Sequence, residues 1–413
     1  MKSDMKSDMK LNDFLIIPLF IGLASILHNK DAMSQSGSEL SYAPPTGLTL
    51  SYADSAYRFS IGGFVQPTLV FETDSITSRS YWNARRAFFV MNGMSRKEKV
   101  GFSMQADFSQ TLPLMDAFVF WKPSEWTQIS FGQKQSPANN REMLYREDAL
   151  SFTDRSMLSR SFSRTGREFG LFMQSQIGTN RPILPFIAIT SGDGRNSFGV
   201  DSRDNDQGGW KYGGRLDWYP LGKFSERNMG TSVDISGESE LKILTGLYGN
   251  LNRGASDAVG EGHNVFALYD TSGTLTLPDY RKWGIDFVAK YKGVSVLYEY
   301  QVASADLPAQ MFADASQQIA LRPGQIATFL ALGKGWNIQG GYFNNGWGLD
   351  LRLQQITPEF NTNGGKTPEI TSTGICAARH LKDGSFRFQI SQDFIKTNDL
   401  SISQTEFMLQ MRF

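Results

Sequence analysis

Four arginines lie close together between Arg155 and Arg167 of this 413-residue chain, and no acidic residue separates them. A guanidinium group is permanently charged, and its forked N–H donors match the oxygens of phosphate-like anions. In a narrow channel with low-dielectric walls, such cations raise the local concentration of anions. The sequence therefore predicts an anion path at Arg155, Arg160, Arg164 and Arg167.

A structural role for the same arginines is equally open. Acidic residues flank the cluster on both sides, so ion pairs with them would hold the segment against a neighbouring wall. The two roles do not exclude each other, because a guanidinium can bind a carboxylate with some of its donors and face water with the rest. The flanking acids are Glu142, Glu147, Asp148, Asp154 and Glu168.

Apolar residues at every second position indicate the elements that position these side chains. The segment 403–413 has one phase with Phe407, Leu409, Met411 and Phe413, and a largely polar second phase. A two-residue period places the two phases on opposite faces of a strand. A strand with one apolar face, one polar face and an aromatic end is typical of a transmembrane β-barrel. It also resembles the carboxyl-terminal signature of bacterial outer-membrane proteins.

The same period recurs along the chain and predicts an all-β fold, a transmembrane antiparallel barrel of about sixteen strands. An even number fits a single-chain barrel with both ends on the same side of the membrane. The link 220–238 is long for the side that otherwise carries short turns. The predicted strands are 57–72, 80–93, 99–109, 114–122, 126–133, 167–177, 182–191, 209–219, 239–250, 282–291, 294–303, 335–344, 347–356, 370–381, 384–395 and 402–413.

Polar residues in the inward phase of these strands are both basic and acidic. Arg85 and Arg86 are adjacent, so strict alternation allows only one of them, taken here as Arg86, to face the lumen. The mixture of charges argues against a strongly basic pathway for phosphate. The other basic candidates are Lys134, Arg215 and Arg352, and the acids are Asp107, Asp116, Asp286, Glu299 and Asp350.

A set of short motifs in this order resembles the phosphate-selective porin O and P family. The motifs are Gly62–Gln66, Arg85–Ala87, Asp116–Ala117, Phe131–Lys134 with Pro137, Asp154–Ser156, Gly166–Gly170, Trp283–Gln301 and Gly346–Arg352. The similarity covers the chain from about residue 46 to its end. It implies a sixteen-stranded outer-membrane barrel, usually a homotrimer, whose third loop (134–166) folds inward and whose basic residues line an anion path.

The mean hydropathy of −0.31 and the single long apolar run, 14–27, exclude a bundle of membrane-spanning helices. That run follows basic residues and predicts an export signal over 1–34. The segment 35–56, with Pro44 and Pro45, is predicted to be an extended lead-in, and 57–413 the barrel.

The predicted function is a passive channel for small anions such as phosphate, in contact with outer-membrane lipid. The lysines and arginines number 41, as do the acidic residues, which gives no argument for a nucleic-acid partner. Known catalytic motifs and a histidine metal site are missing from the sequence, so we expect no enzyme, no cofactor and no metal. Two alternatives stay open: a weakly selective diffusion porin, and a plugged barrel that serves as a structural or secretion-machinery partner.

Overall fold

The computed structural model describes residues 38–43, 47–52, 56–95, 98–197, 208–263, 265–306, 310–381, 384–397 and 400–413. The predicted signal peptide lies outside these residues. Sixteen strands, β3 to β18, pair antiparallel with their sequence neighbours, and β18 pairs with β3, which closes the barrel. All sixteen predicted strands and the barrel fold are confirmed. The strands are β3 Tyr57–Thr73, β4 Ser78–Met94, β5 Val100–Asp107, β6 Leu114–Ser124, β7 Thr127–Gln135, β8 Arg167–Ser175, β9 Ile183–Thr190, β10 Lys211–Trp218, β11 Lys242–Asn252, β12 Asp279–Tyr291, β13 Val294–Asp306, β14 Gly333–Asn344, β15 Trp347–Pro358, β16 Ile370–Leu381, β17 Phe386–Thr397 and β18 Ser401–Arg412.

The two faces of each strand differ as the alternation predicts. In β15, Leu349 and Leu351 are exposed on the outside, whereas Asp350 and Arg352 are buried on the inside. The same division in the other strands surrounds the barrel with apolar side chains. A closed sheet has no unpaired edge, and an apolar outer surface suits contact with lipid. The chain is therefore an outer-membrane β-barrel.

One end of the barrel, here called the turn side, carries mostly short links, and the other, the loop side, carries most of the long ones. Two of the turn-side links have two residues each, Lys292-Gly293 and Asn345-Gly346, and all four have positive φ. That conformation matches the twist of the flanking strands in a tight hairpin.

The predicted extended lead-in is corrected by the structure, because it folds back as a hairpin. Strands β1 (Glu39–Ala43) and β2 (Gly47–Tyr52) pair with each other, and β2 also pairs with the beginning of β3, Leu48 opposite Ile61. The pairing of β18 with β3 stops at Phe64, so the preceding part of β3 would otherwise present an unpaired edge. Strand β2 supplies its backbone partners.

Two long links in the described part of the chain carry α-helices inside the barrel. The third loop, 136–166 in the structure, contains helices α1 (Arg141–Leu144) and α2 (Met157–Phe162) and the 3-10 turn Glu147–Ala149. The turn-side link 219–241 contains helix α3 (Glu226–Met229). Among the described residues, no helix is long and apolar enough to cross a membrane.

Apolar packing on the loop side holds the outer links together. Leu158 and Phe162 of α2 pack with Leu268, Tyr280 and Leu330 in one buried cluster. This cluster joins the third loop to the links after β11 and β13. Apolar contacts therefore hold helix α2 on the loop side, while polar contacts hold the third loop against the barrel wall.

Candidate functional site: the barrel interior

A buried ion-pair network anchors the beginning of the third loop to the wall. The Arg141 guanidinium donates to Asp217 on β10 at 2.5 and 2.9 Å and to Asp286 on β12 at 2.9 and 3.0 Å. Arg215 donates to both carboxylates as well, and to the Asn139 carbonyl at 2.9 Å. Two guanidiniums thus balance two carboxylates. Arg215, a predicted anion-path residue, is fully buried in this network.

Two glutamates provide a second anchor. Glu299 on β13 accepts the Glu142 backbone N–H at 2.7 Å and the Asn140 amide at 3.0 Å. Glu142 in turn accepts the Ser156 backbone N–H at 2.7 Å and the Ser159 hydroxyl at 2.6 Å. The two halves of the loop are therefore bound to each other and to β13.

Arg155 is partly buried, Arg167 is buried, and both are paired. Arg155 donates to Glu147 at 2.9 Å and to the Glu142 and Tyr145 carbonyls at 2.5 and 3.1 Å. Arg167 donates to Asp116 at 3.0 Å and lies 3.6 Å from Glu147. Burial raises the pKa of the Glu147 loop carboxyl, but Arg167, Arg155 and Arg86 together lower it to about 2. Glu147 is therefore ionised at neutral pH and offsets the charge of its neighbours.

A β-bulge changes the expected position of Arg85. Gln66 of β3 faces Arg86 of β4, but Pro67 faces Ala84, so Arg85 is the extra residue. Both arginines then contact Asp154 of the third loop at 3.1 Å. The expectation that only one of the pair faces the lumen is wrong, because it assumed strict alternation. Arg86 also donates to the Gln66 side chain and to the Thr153 carbonyl.

Arg352 and Lys134 occupy different environments. Arg352 donates to the Asp154 carbonyl at 3.0 Å and to Asp393 at 3.2 Å, and lies 4.0 Å from the centre of the Phe152 ring. The Lys134 ammonium lies 4.7 Å from the Phe118 ring centre. It lines a cavity of about 320 Å³ that also contacts Arg215, Tyr145 and Tyr219.

Three loop arginines expose their guanidinium ends although each pairs with a carboxylate. Arg160 lies 3.6 Å from Asp154, Arg164 lies 2.6 Å from Asp257, and Arg146 lies 3.1 Å from Asp148. Arg146 was missed at the sequence level because two acids follow it. Arg160 and Arg164 are the members of the predicted cluster that face water.

A larger cavity, about 620 Å³, lies between the third loop and the turn side. Its lining includes four arginines and three carboxylates. None of these arginines was among the predicted site residues: Arg387 and Arg412 lie in the inward phase of their strands, and Arg227 lies in the long turn-side link. The charged lining residues are Arg146, Arg227, Arg387, Arg412, Asp148, Glu226 and Asp350.

Comparisons with known proteins agree with this architecture. No family model matches the chain, and no curated protein sequence matches it. Among solved structures, OprB of Pseudomonas putida is similar with a TM-score of 0.55 at 10% identity, over 87% of this chain and 95% of that one. The anion-selective porin from Comamonas acidovorans gives 0.52 at 8% identity, over 86% and 100%. The trimer form of OmpT of Vibrio cholerae gives 0.50 at 10%, over 87% and 100%. These likenesses show the fold.

Proposed function

We propose that this protein is a passive channel for small solutes, not an enzyme, and that it prefers anions. One observation carries the preference for anions. The side chains of Arg146, Arg160 and Arg164 are 52%, 54% and 56% exposed, whereas their partners Asp148, Asp154 and Asp257 are 5%, 24% and 1% exposed. A solute near the loop therefore meets cationic groups, while the balancing negative charge is largely covered.

The exposed arginines are weak sites, which suits conduction. Each guanidinium already donates to or lies beside a carboxylate, so only some of its N–H donors remain for a passing anion. The anion is therefore bound weakly and can leave again. Forked donors favour phosphate-like oxyanions over spherical ions. We extend the proposal to phosphate-like solutes and to a homotrimer, with the family resemblance as support. The names of the Comamonas porin and of the Vibrio trimer form add to that support.

Reversal potentials in a KCl gradient across a planar bilayer test the proposal. The wild-type protein should prefer chloride, and the triple variant Arg146→Gln, Arg160→Gln, Arg164→Gln should lose most of that preference. Arg79→Gln is the matched control, because Arg79 is an exposed arginine that pairs with Glu72 on the β3–β4 hairpin. A triple variant with the wild-type reversal potential would contradict the assignment of the anion preference to these arginines.

A weakly selective diffusion channel is the second candidate. It is favoured by the compensated charges between the third loop and the wall, where Arg141 of the loop and Arg215 of the wall pair with Asp217 and Asp286. A wild-type reversal potential near zero with large conductance would support it. A reconstituted, folded barrel without conductance would instead favour the plugged barrel, and would contradict both channel proposals.

A further inference from the structure

The turn-side link 219–241, here called the inner strap, is an ordered structure inside the barrel. Four polar side chains bind one another within it. The Asn228 amide donates to Asp234 and Glu238 at 2.7 Å each, and Ser225 donates to Glu238 at 2.7 Å. The Glu238 backbone N–H donates to Asp234. The strap therefore has a defined shape of its own.

A buried lysine of the wall fixes the strap in place. Lys290, which points inward from β12, donates to the carbonyls of Asn228, Thr231 and Val233 at 2.7, 2.7 and 3.0 Å. All three donors of its ammonium are thereby used, and the side chain is fully buried. Charge-assisted hydrogen bonds are stronger than neutral ones, so one wall residue holds three points of the strap.

Apolar contacts support the same position. Phe224 of the strap packs with Tyr219, Leu244 and Val288 in a buried cluster on the inner wall. The Lys290 ammonium also lies 4.7 Å from the centre of the Phe224 ring. The strap is thus packed against β11 and β12 rather than suspended in the lumen.

The tip of the strap reaches the third loop. The Thr231 hydroxyl donates to the Ala149 carbonyl at 2.9 Å. Gly230, next to Thr231, lines both the 320 Å³ cavity and the 620 Å³ cavity. The contact between Thr231 and Ala149 therefore lies where the two cavities come together.

We propose that the inner strap and the third loop together divide the turn-side half of the lumen and confine solutes to the larger, arginine-lined cavity. This inference rests on the proposed channel function and adds a second element that determines its size limit. The strap and the loop thus form a divider, whose tip is Gly230 and Thr231. Lys290 is the positioning residue that holds the strap in this divider. The smaller cavity is a side chamber behind it.

Modification of Gly230→Cys tests whether the strap tip borders the conducting path. No atom lies within 4 Å of a Cβ built at Gly230, so the substitution meets no steric obstacle. A methanethiosulfonate reagent added from the turn side should reduce the conductance, by roughly one half for a pore narrowed by one side chain. The native Cys376 is buried and does not compete for the reagent.

Ser239→Cys is the control, because Ser239 is an exposed strap residue that lines neither cavity. Mass spectrometry should show complete modification of both variants, with a conductance loss in Gly230→Cys alone. Full modification of Gly230→Cys at unchanged conductance would overturn the inference. If the unmodified protein does not conduct, the proposed channel function fails instead, so the two failures are distinguishable.

Lys290→Met tests the divider itself. Loss of three hydrogen bonds should release the strap, raise the conductance, and admit larger polyethylene glycols from the turn side but not from the loop side. Lys122→Met, at a partly exposed lysine beside a turn-side link, removes the same charge without touching the strap. A folded barrel that has not been heated migrates differently in an SDS gel from the heated, unfolded chain. This difference in mobility shows whether each variant is folded. A folded Lys290→Met barrel with wild-type conductance and polymer access contradicts the divider.

Discussion

At the scale of single residues, Asp154 is the carboxylate on which the loop's charge balance depends most. Arg85, Arg86 and Arg160 all lie within 3.6 Å of it. Burial raises the pKa of Asp154, but the same three arginines lower it overall, well below the usual carboxyl range. A group with a lowered pKa loses its charge only as the pH falls through that lowered value. Mildly acidic buffer therefore leaves Asp154 charged, and only a substitution removes its charge.

We expect Asp154→Asn to strengthen the preference for anions. One negative charge is lost beside three guanidiniums, which should raise the permeability ratio of chloride to potassium about two- to fivefold, equivalent to roughly 0.5–1 kcal/mol of local potential. Reversal potentials in a KCl gradient measure this ratio. Asp270→Asn, a carboxylate in an exposed loop-side turn, should leave the ratio unchanged. A shift toward potassium would contradict the charge assignment.

The inward direction of the Arg215 and Arg352 side chains could be predicted from the alternation of apolar and polar residues, since that pattern depends only on neighbouring positions in the chain. The direction of Arg85 did not, because a bulge depends on how two strands are paired and here lies beside Pro67, which has no N–H to donate. The partners of the loop arginines were also beyond the sequence. Asp257 pairs with Arg164 and Asp116 pairs with Arg167, and only the closed barrel brings these two elements to the loop.

At the scale of elements, the third loop is held by buried charges at its beginning. Arg141→Met should destabilise the barrel by about 3 kcal/mol, the lower end for a broken buried ion pair, because Arg215 still contacts Asp217 and Asp286. Urea unfolding of the reconstituted barrel measures this change. Arg58→Met removes an exposed pair with Glu98 and should cost less than about 1 kcal/mol. Equal losses in both variants would contradict the anchor.

The strands could be predicted from the sequence pattern, and the inward third loop was expected only from the family resemblance. The inner strap was not predicted, for a physical reason. A membrane strand must alternate in polarity along its whole length, so the pattern is local and repeated. The inner strap is held by Lys290 and Gly293 of another hairpin, and its own sequence has no such period. The β1–β2 hairpin exists because β3 extends past the end of β18, a mismatch in length that only the closed barrel reveals.

At the scale of the whole molecule, the apolar outer surface determines insertion into the membrane. Leu351→Arg places a charge on the lipid face in the middle of β15 and should cost about 2–4 kcal/mol of folding free energy in lipid vesicles. Leu241→Arg, an exposed residue outside the strands on the turn side, should cost about 1 kcal/mol or less. Folding titrations with urea in vesicles measure both, and equal costs would contradict the predicted lipid contact.

The junction between β3 and β18 has a consequence for how the molecule reaches its final form. Gln66 donates across it to Gln410, a residue 344 positions away in the sequence, and Gly63 and Phe413 exchange backbone hydrogen bonds there. Contacts of such separation form late, because the entropy of closing the intervening chain must be overcome first. Until then β3 and β18 both present open edges that invite aggregation. We therefore expect that weakening this one pair of strands lowers the yield of barrels more than it alters those that form.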